Sequence, residues 1–115
     1  MFDFEKFEVY IKAKDLVKDL SEMIADLKGV HPRIIDQLQR ASLSIPLNIA
    51  EGAGRYSKAD KKNFYIIARG STFECVAILD IIHDMGCISD TVKAIYYQRL
   101  EELSKMISGL INSQR

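Results

Sequence analysis

A proline inside an apolar helical repeat is the feature that most constrains this sequence. Apolar residues recur there at intervals of three and four, the spacing of one face of an α-helix: Ile34, Leu38, Ala41, Ile45 and Ile49. Pro46 falls within the repeat, where it lacks an amide donor and crowds the carbonyl oxygen of Ser42. Because the repeat persists on both sides of the proline, we predict one kinked helix and not two.

Turn residues divide the chain into four predicted helices. Glycines follow the last periodic residue of the first three helices, where they suit a helix end: Gly29, Gly52 with Gly54, and Gly86. Residues that favour a helix start come soon after them: Pro32, Ser57 with Asp60, and Ser89 with Asp90. The helices are predicted over about residues 4–28, 32–53, 58–85 and 89–112. With short turns and no strand pattern, we predict one all-α domain over residues 1–115, an up-down-up-down antiparallel four-helix bundle.

The third helix carries more apolar residues than one buried face needs. Residues 64–68 form a contiguous apolar run, and residues 75–79 form another. A helix that is apolar on most sides must be covered on most sides, and in a four-helix domain one flank would stay bare. We therefore predict that a second copy of the chain covers this flank in a homo-oligomer.

Charge and cysteine content exclude several classes of protein. Sixteen Lys and Arg offset sixteen Asp and Glu, so a nucleic-acid role would need a local patch of cations. Cys75 and Cys87, twelve positions apart within one predicted helix, are too distant for a disulfide, which indicates reduced thiols in a cytoplasmic protein. No apolar run approaches the roughly 20 residues that span a bilayer, and the N-terminus is charged, so we expect neither membrane insertion nor export.

The best candidate for phosphate binding surrounds the start of the third helix. Five cations lie between residues 55 and 69, and we term them the basic patch: Arg55, Lys58, Lys61, Lys62 and Arg69. The same segment contains one anion, Asp60, and two tyrosines, Tyr56 and Tyr65. Backbone donors at a helix N-terminus also favour phosphate. The patch therefore predicts binding of RNA or DNA, and the alternative is a solvated helix start with ordinary surface lysines.

A polar network is predicted between the second and third helices. Glu74 shares a helix face with Ile67, so we expect its carboxylate to point toward the core, where it needs a cation or several donors. Arg40 lies on the polar side of the second helix with Asn48 and Glu51 and is the expected partner. We interpret Arg40, Asn48, Glu51 and Glu74 as a network that sets the register of two helices. The alternative is that Glu74 is a catalytic acid with a perturbed pKa in a cleft.

Metal binding and catalysis are not predicted. Asp80 and His83 have the i, i+3 spacing used by di-metal carboxylate bundles, and Cys87 lies four residues further on. Such sites need a second motif on a facing helix, whereas the other histidine, His31, lies in a turn. The sequence has no nucleophile–base pair, phosphate loop or metal quartet. We therefore expect no metal, no cofactor and no enzymatic activity.

Several motifs in order resemble those of a known family. They are Arg40-Ala41-Ser42, Ser44-Ile45-Pro46, Asn48 to Gly52, Arg55, Ala68 to Ser71, and Glu74. Over nearly the whole chain this pattern resembles the small four-helix-bundle proteins encoded in intervening sequences of bacterial 23S rRNA genes. It is more distantly similar to the accessory variability determinant of diversity-generating retroelements. The resemblance implies a five-subunit ring that binds nucleic acid or a nucleic-acid enzyme, and it implies no particular reaction.

Taken together, the residues and the resemblance predict a non-enzymatic helical scaffold that forms a homo-oligomer. Nucleic acid, or a protein associated with nucleic acid, would bind through the basic patch. The alternative is a purely structural protein-interaction module with no nucleic-acid role, which the neutral net charge favours.

Overall fold

Four α-helices and one short 3-10 helix make up the computed structural model, which describes residues 1–114. The 3-10 helix is Asp3–Lys6, and the α-helices are α1 (Glu8–Ala25), α2 (Pro32–Ala53), α3 (Lys58–Asp84) and α4 (Asp90–Asn112). The described part of the chain contains no β-strand. The predicted all-α class is therefore confirmed.

Helices that follow one another in sequence also pack against one another. Within the described residues α1 packs against α2, α2 against α3, α3 against α4, and α4 against α1, whereas Cα atoms of the diagonal helices do not come within 8 Å of each other. Gln37 of α2 bonds to Glu74 of α3, and further along α2 Ser44 bonds to Ser71, so the two helices run in opposite directions. Arg69 of α3 bonds to Ser108 of α4, and Asp80 further along α3 bonds to Lys93 earlier in α4, so these two helices are also antiparallel. This arrangement is the predicted up-down-up-down antiparallel bundle.

Every α-helix contributes fully buried side chains to one core. The largest include Leu16 and Leu20 of α1, Leu38, Ile45 and Ile49 of α2, Tyr65 and Ile82 of α3, and Leu100 and Ile107 of α4. Burying one such side chain contributes roughly 1.5 to 3 kcal/mol. The apolar repeat that continues through the proline therefore faces the core, as expected.

Helix α2 runs without interruption from Pro32 to Ala53. The prediction of one helix through Pro46 is confirmed, because the helix persists on both sides of that residue. Pro46 is itself buried, so its ring packs inside the bundle although it cannot donate a backbone hydrogen bond. The kink at this position stays a prediction from proline geometry.

The first helix is shorter than predicted. The backbone at Phe7 is extended (φ −68°, ψ 124°), which separates the 3-10 turn from α1. At the other end α1 stops at Ala25, and the amide of Leu27 bonds to the carbonyl of Ile24, a tighter pattern than that of an α-helix. Gly29, with φ 79°, therefore lies in the connection to α2 and not at the helix end.

The two glycines at the end of α2 differ from the prediction that both terminate the helix. Gly52 lies within the last turn, where a Cβ atom would come 2.7 Å from the ring of Tyr65 and 3.0 Å from the Cβ of Phe64. Gly54 caps the helix with φ −82°, a conformation open to any residue. Gly52 is thus needed for the close approach of α3.

Serine side chains cap the starts of α3 and α4 at the positions where caps were predicted. Ser57 Oγ accepts a hydrogen bond from the amide of Asp60 at 3.0 Å, and Ser89 Oγ accepts one from the amide of Val92 at 3.1 Å. Gly86 follows α3 with φ 76°, the left-handed conformation that favours glycine after a helix. Short-range sequence signals therefore set the ends of α3 and α4.

Candidate interaction surface

Exposed large apolar side chains are most numerous on α3, and two on α2 extend the same surface. Six of them, each about half exposed, form what we term the outer apolar face: Leu43 and Leu47 of α2, and Ile66, Ile67, Phe73 and Ile81 of α3. Other described helices also have exposed apolar residues, but each has fewer than α3. The prediction that α3 has an uncovered apolar flank within one copy of the chain agrees with this distribution.

The α2 and α3 parts of this face lie on the same side of the molecule. The hydroxyl of Ser71 donates to that of Ser44 at 2.8 Å, which marks the seam between the helices. Leu43 immediately precedes Ser44 on α2, and Gly70 immediately precedes Ser71 on α3. Each is therefore rotated by about 100° around its helix from the serine at the seam. Because the helices are antiparallel, equal rotations turn both residues toward the same side of the seam. The outer apolar face is therefore continuous across α2 and α3.

A groove between α3 and α4 adjoins this face. Its volume is about 430 Å³, and we term it the α3–α4 groove. Val76 and Leu100 contribute to its lining, and the half-exposed rings of Phe73 and Tyr97 lie on its α3 and α4 sides. Phe73 also belongs to the outer apolar face, so groove and face form one surface. Its apolar lining is accompanied by polar groups, the combination found in most binding sites.

Arg55 and Lys61 of the basic patch are engaged in contacts near the end of α2. Lys61 Nζ donates to the carbonyl of Ala53 at 2.8 Å and so satisfies a backbone acceptor at the end of α2. Arg55 lies 3.6 Å from the carboxylate of Glu51 and 4.5 Å from the ring centroid of Phe64. Glu51, which was predicted to join the polar network, pairs instead with this arginine. These contacts limit how far Arg55 and Lys61 can reach toward a ligand.

The other three cations of the patch lie along one side of α3. Arg69 Nε donates to Ser108 Oγ of α4 at 3.0 Å and its guanidinium lies 4.6 Å from the ring of Phe73. Lys58 and Lys62 precede Arg69 by eleven and seven residues, which are helical repeats of the same side. The structure therefore separates the basic patch into a stripe on α3 and two residues around the α2–α3 turn.

Arg40 and Glu74, which were predicted to be linked, do not pair directly among residues 1–114. Glu74 is half-buried and accepts a hydrogen bond from the side-chain amide of Gln37. Arg40 is exposed and makes no ion pair with any residue from 1 to 114. Gln37 occupies the position of α2 that reaches Glu74, and Arg40 lies one turn further along and about 60° round the helix, on the side of Leu43.

Polar contacts do set the register of α2 and α3, but with partly different members. Asn48 Nδ2 donates to the carbonyl of Ser44 at 2.8 Å and to its hydroxyl at 2.9 Å. Ser44 in turn bonds to Ser71 across the seam. Asn48 was predicted to take part, whereas Ser71 was not assigned a role. The i, i+4 spacing of Ser44 and Asn48 is the sequence signal that could have indicated this cluster.

The motif of Asp80, His83 and Cys87 is directed toward other partners. Asp80 Oδ1 lies 2.7 Å from Lys93 Nζ, and His83 Nε2 lies 2.5 Å from Asp90 Oδ1. The hydrogen bond from Lys93 lowers the pKa of Asp80, and the same contact raises the pKa of Lys93. Among residues 1–114 no three metal-ligating side chains come together. These contacts join the end of α3 to the start of α4.

Both cysteines are free thiols in different surroundings. Cys75 is buried in α3, whereas Cys87 is half-buried in the α3–α4 turn and not, as predicted, within the same helix. Burial, with a smaller contribution from the charge of Glu74, raises the pKa of Cys75 to about 12. Because only the thiolate is a strong nucleophile, Cys75 is a core residue without thiol reactivity near neutral pH.

These features define a class: an all-α, four-helix-bundle protein of neutral charge whose main exposed feature is apolar. The model of the 23S rRNA-intervening sequence protein family matches residues 5–109, and the chain belongs to that family. The family resemblance inferred from the motifs is confirmed.

Of two other comparisons, one gives the fold and neither gives an activity. A crystal structure of a protein with unknown function from the S23 ribosomal protein family of Bacteroides thetaiotaomicron is similar to this chain, with a TM-score of 0.82 and 21% sequence identity. The match covers 90% of this chain and 97% of the other. No curated protein matches the chain. In the described residues, no helix is both long and apolar enough to cross a bilayer.

Proposed function

We propose that this protein is a non-enzymatic scaffold that acts as a homo-oligomer, with the outer apolar face buried between copies. The observation that carries the proposal is the set of six half-exposed large apolar side chains on one side of α2 and α3. Removing the exposed half of a Leu, Ile or Phe side chain from water contributes about 1 kcal/mol. Association costs at least about 4 kcal/mol, which a face of this size is able to offset.

The specific form that we propose is a closed ring of five subunits. Support for the number five comes from the resemblance described above, since the apolar face by itself favours self-association of any order. A ring requires a head-to-tail contact in which two unlike surfaces of the chain meet.

Mass measurement of the intact assembly tests this proposal. We expect light scattering and native mass spectrometry at micromolar concentration to give about five times the 13.1 kDa of the chain. Ile66→Glu on the outer apolar face should shift the mass toward the monomer. Ile95→Glu is the matched control, because Ile95 is equally exposed (50%) but lies on the other side of α4 from Tyr97. A monodisperse wild-type monomer would overturn the proposal.

A second candidate function is weak binding of nucleic acid along α3. It is supported by the alignment of Lys58, Lys62 and Arg69 on one side of that helix, starting at its N-terminus. A ring would repeat this stripe in every subunit, and phosphate contacts add in affinity. Contacts of this kind carry no base information, so the binding should show little sequence preference.

Charge removal tests the second candidate. Replacement of Lys58, Lys62 and Arg69 by alanine should reduce binding to RNA and DNA at low salt. For each phosphate that is no longer neutralised, the slope of log affinity against log salt should decrease by roughly 0.9 for duplex DNA. Lys14, Lys18 and Lys28 of the α1 region, all exposed, provide a control variant with the same change in charge. If the wild type does not bind, or both variants bind alike, the alternative of an interaction module without nucleic acid is favoured.

A further inference from the structure

We infer that the α3–α4 groove of one copy receives the exposed side of α2 from a second copy, an inference that rests on the proposed self-association. The contacting side of α2, which we term the α2 ridge, consists of Asp36, Arg40, Leu43, Leu47 and Glu51. The partner is thus a second copy of this chain, and the two surfaces in contact are unlike.

The α2 ridge has the shape of a helix side that inserts into a groove. Leu43 and Leu47 are four residues apart on α2 and are 48% and 56% exposed. Side chains at this spacing form the rows that pack into grooves when helices meet. Within one copy these leucines project away from the core to which Ile45 and Ile49 belong. They are therefore available to a second chain.

The α3–α4 groove is suited to accept two leucines. Ala77 is exposed on its α3 side, where the methyl group leaves space between the larger rings of Phe73 and Tyr97. Val76 is partly exposed and, with the rings of Phe73 and Tyr97, provides an apolar surface for the incoming side chains. A groove with aromatic sides and an apolar lining is the usual receptor for one face of an amphipathic helix.

The order of charges favours one direction of docking. Along the α2 ridge the residues are acidic, basic, apolar, apolar and acidic: Asp36, Arg40, Leu43, Leu47 and Glu51. Read from its C-terminal end, the groove side of α4 is basic, acidic, aromatic and basic: Lys105, Glu101, Tyr97 and Lys93. Both series step by about four residues, or roughly 6 Å along a helix. With α2 antiparallel to α4 of the other copy, Asp36 meets Lys105 and Arg40 meets Glu101.

The charged residues that would meet at the start of α2 and the end of α4 lack strong partners within one chain. Asp36 and Arg40 are both exposed, and neither makes an ion pair with a residue from 1 to 114. Glu101 and Lys105 are 3.9 Å apart and exposed to solvent, a weak contact. The opposite, parallel direction would form one such pair, Asp36 with Lys93, in place of two, and it would bring Leu43 against the carboxylate of Glu101.

Mixing two variants tests whether the contact joins unlike surfaces. Leu43→Gln with Leu47→Gln removes the ridge, and Ala77→Arg fills the groove; each variant alone should be monomeric by light scattering. An equimolar mixture should form a one-to-one heterodimer of twice 13.1 kDa, because the intact ridge of one variant still fits the intact groove of the other. Ile95→Gln should leave the wild-type assembly unchanged.

The possible failures are distinguishable. A monomeric wild type overturns both the proposed function and this inference. If the wild type is an oligomer but the two variants remain assembled, or if their mixture stays monomeric, only the inference is overturned.

Charge reversal provides a test that does not alter apolar packing. Arg40→Glu and Glu101→Arg should each weaken assembly by about tenfold or more, since like charges then face each other. The double variant should recover the wild-type concentration dependence. Both residues are exposed, and circular dichroism should show unchanged helix content in all three proteins. Absence of recovery in the double variant would overturn the antiparallel docking.

Discussion

Gly52 and Cys75 illustrate how strongly packing sets the role of a single residue. Gly52 brings α2 and α3 together because a side chain there would overlap the ring of Tyr65. Cys75, one of two cysteines, is enclosed by the core so completely that its thiol stays protonated well above neutral pH. Both residues serve the fold, although each belongs to a type that often marks a turn or a reactive site.

Replacing Gly52 should destabilise the protein. In Gly52→Ala the new methyl group would lie within 3 Å of Tyr65, and the displacement needed to relieve this overlap costs about 1 to 3 kcal/mol. Urea unfolding followed by circular dichroism measures the decrease in stability. Gly109→Ala is the control, because Gly109 is helical with open space around it, so alanine should be neutral or stabilising by up to about 1 kcal/mol. Equal midpoints for the two variants would contradict the close approach at Gly52.

Burial of Cys75 should make stability fall in alkaline solution. The pKa of this thiol rises from its ordinary value of 9.0 to about 12 on folding, so the unfolded chain releases its proton first. The stability linked to the protonated thiol is fully present below pH 9 and is lost as the pH rises from 9 toward 12. Urea midpoints measured from pH 8 to 10.5 should therefore fall less steeply for Cys75→Ala than for the wild type. Parallel pH profiles would show that Cys75 is accessible to solvent.

At the scale of elements, α2 combines two sides with different tasks. Its inner side continues the apolar repeat through Pro46 into the core, whereas Leu43 and Leu47 project outward on either side of the same proline. A bend at Pro46 would change the relative direction of these two leucines. The geometry of the α2 ridge therefore depends on the proline.

Replacement of Pro46 should straighten α2. In Pro46→Ala the restored amide can donate to the carbonyl of Ser42, which removes the cause of the bend. A crystal structure of the variant measures the angle between the helix axes before and after residue 46. We also expect altered packing between subunits, seen as a changed concentration dependence of assembly. An unchanged angle between the two axes would contradict the predicted kink.

For the whole molecule, the seam between α1 and α4 is the least extensive of the four helix contacts. It is bridged by ion pairs between Lys12 and Glu102, and between Arg99 and Asp19 at 2.8 Å. The hydrogen bond to Glu102 raises the pKa of Lys12, but all four side chains remain partly exposed. The bundle is therefore held most firmly around α3 and least firmly at α1.

Hydrogen exchange should reveal this gradient. Amides of α1 should exchange faster than those of α3, because opening of α1 disrupts fewer buried contacts. Added salt of about 1 M, at which the Debye length is near 3 Å, should increase exchange in α1 more than in α3. Mass spectrometry of peptides from the two helices measures both effects. Equal protection of α1 and α3 at low salt would contradict this view of the bundle.

Local sequence signals determined the elements of this protein. The four helices, their order and most of their ends follow from periodicity and from residues such as Ser57, Ser89 and Gly86, because each signal acts within about four positions. The apolar excess of α3 was also visible in the sequence, since it depends on composition around one helix. The end of α1 was missed, because fraying and tight last turns depend on weak local preferences.

Only the tertiary structure decided which distant residues meet. The partner of Glu74 is Gln37 and not Arg40, although the two residues lie only one helical turn apart on α2. The packing of α2 on α3 also brings Gly52 against Tyr65. Chain neighbours define the helices, but contacts across a seam depend on the register and rotation of two helices, which are set by packing over the whole core.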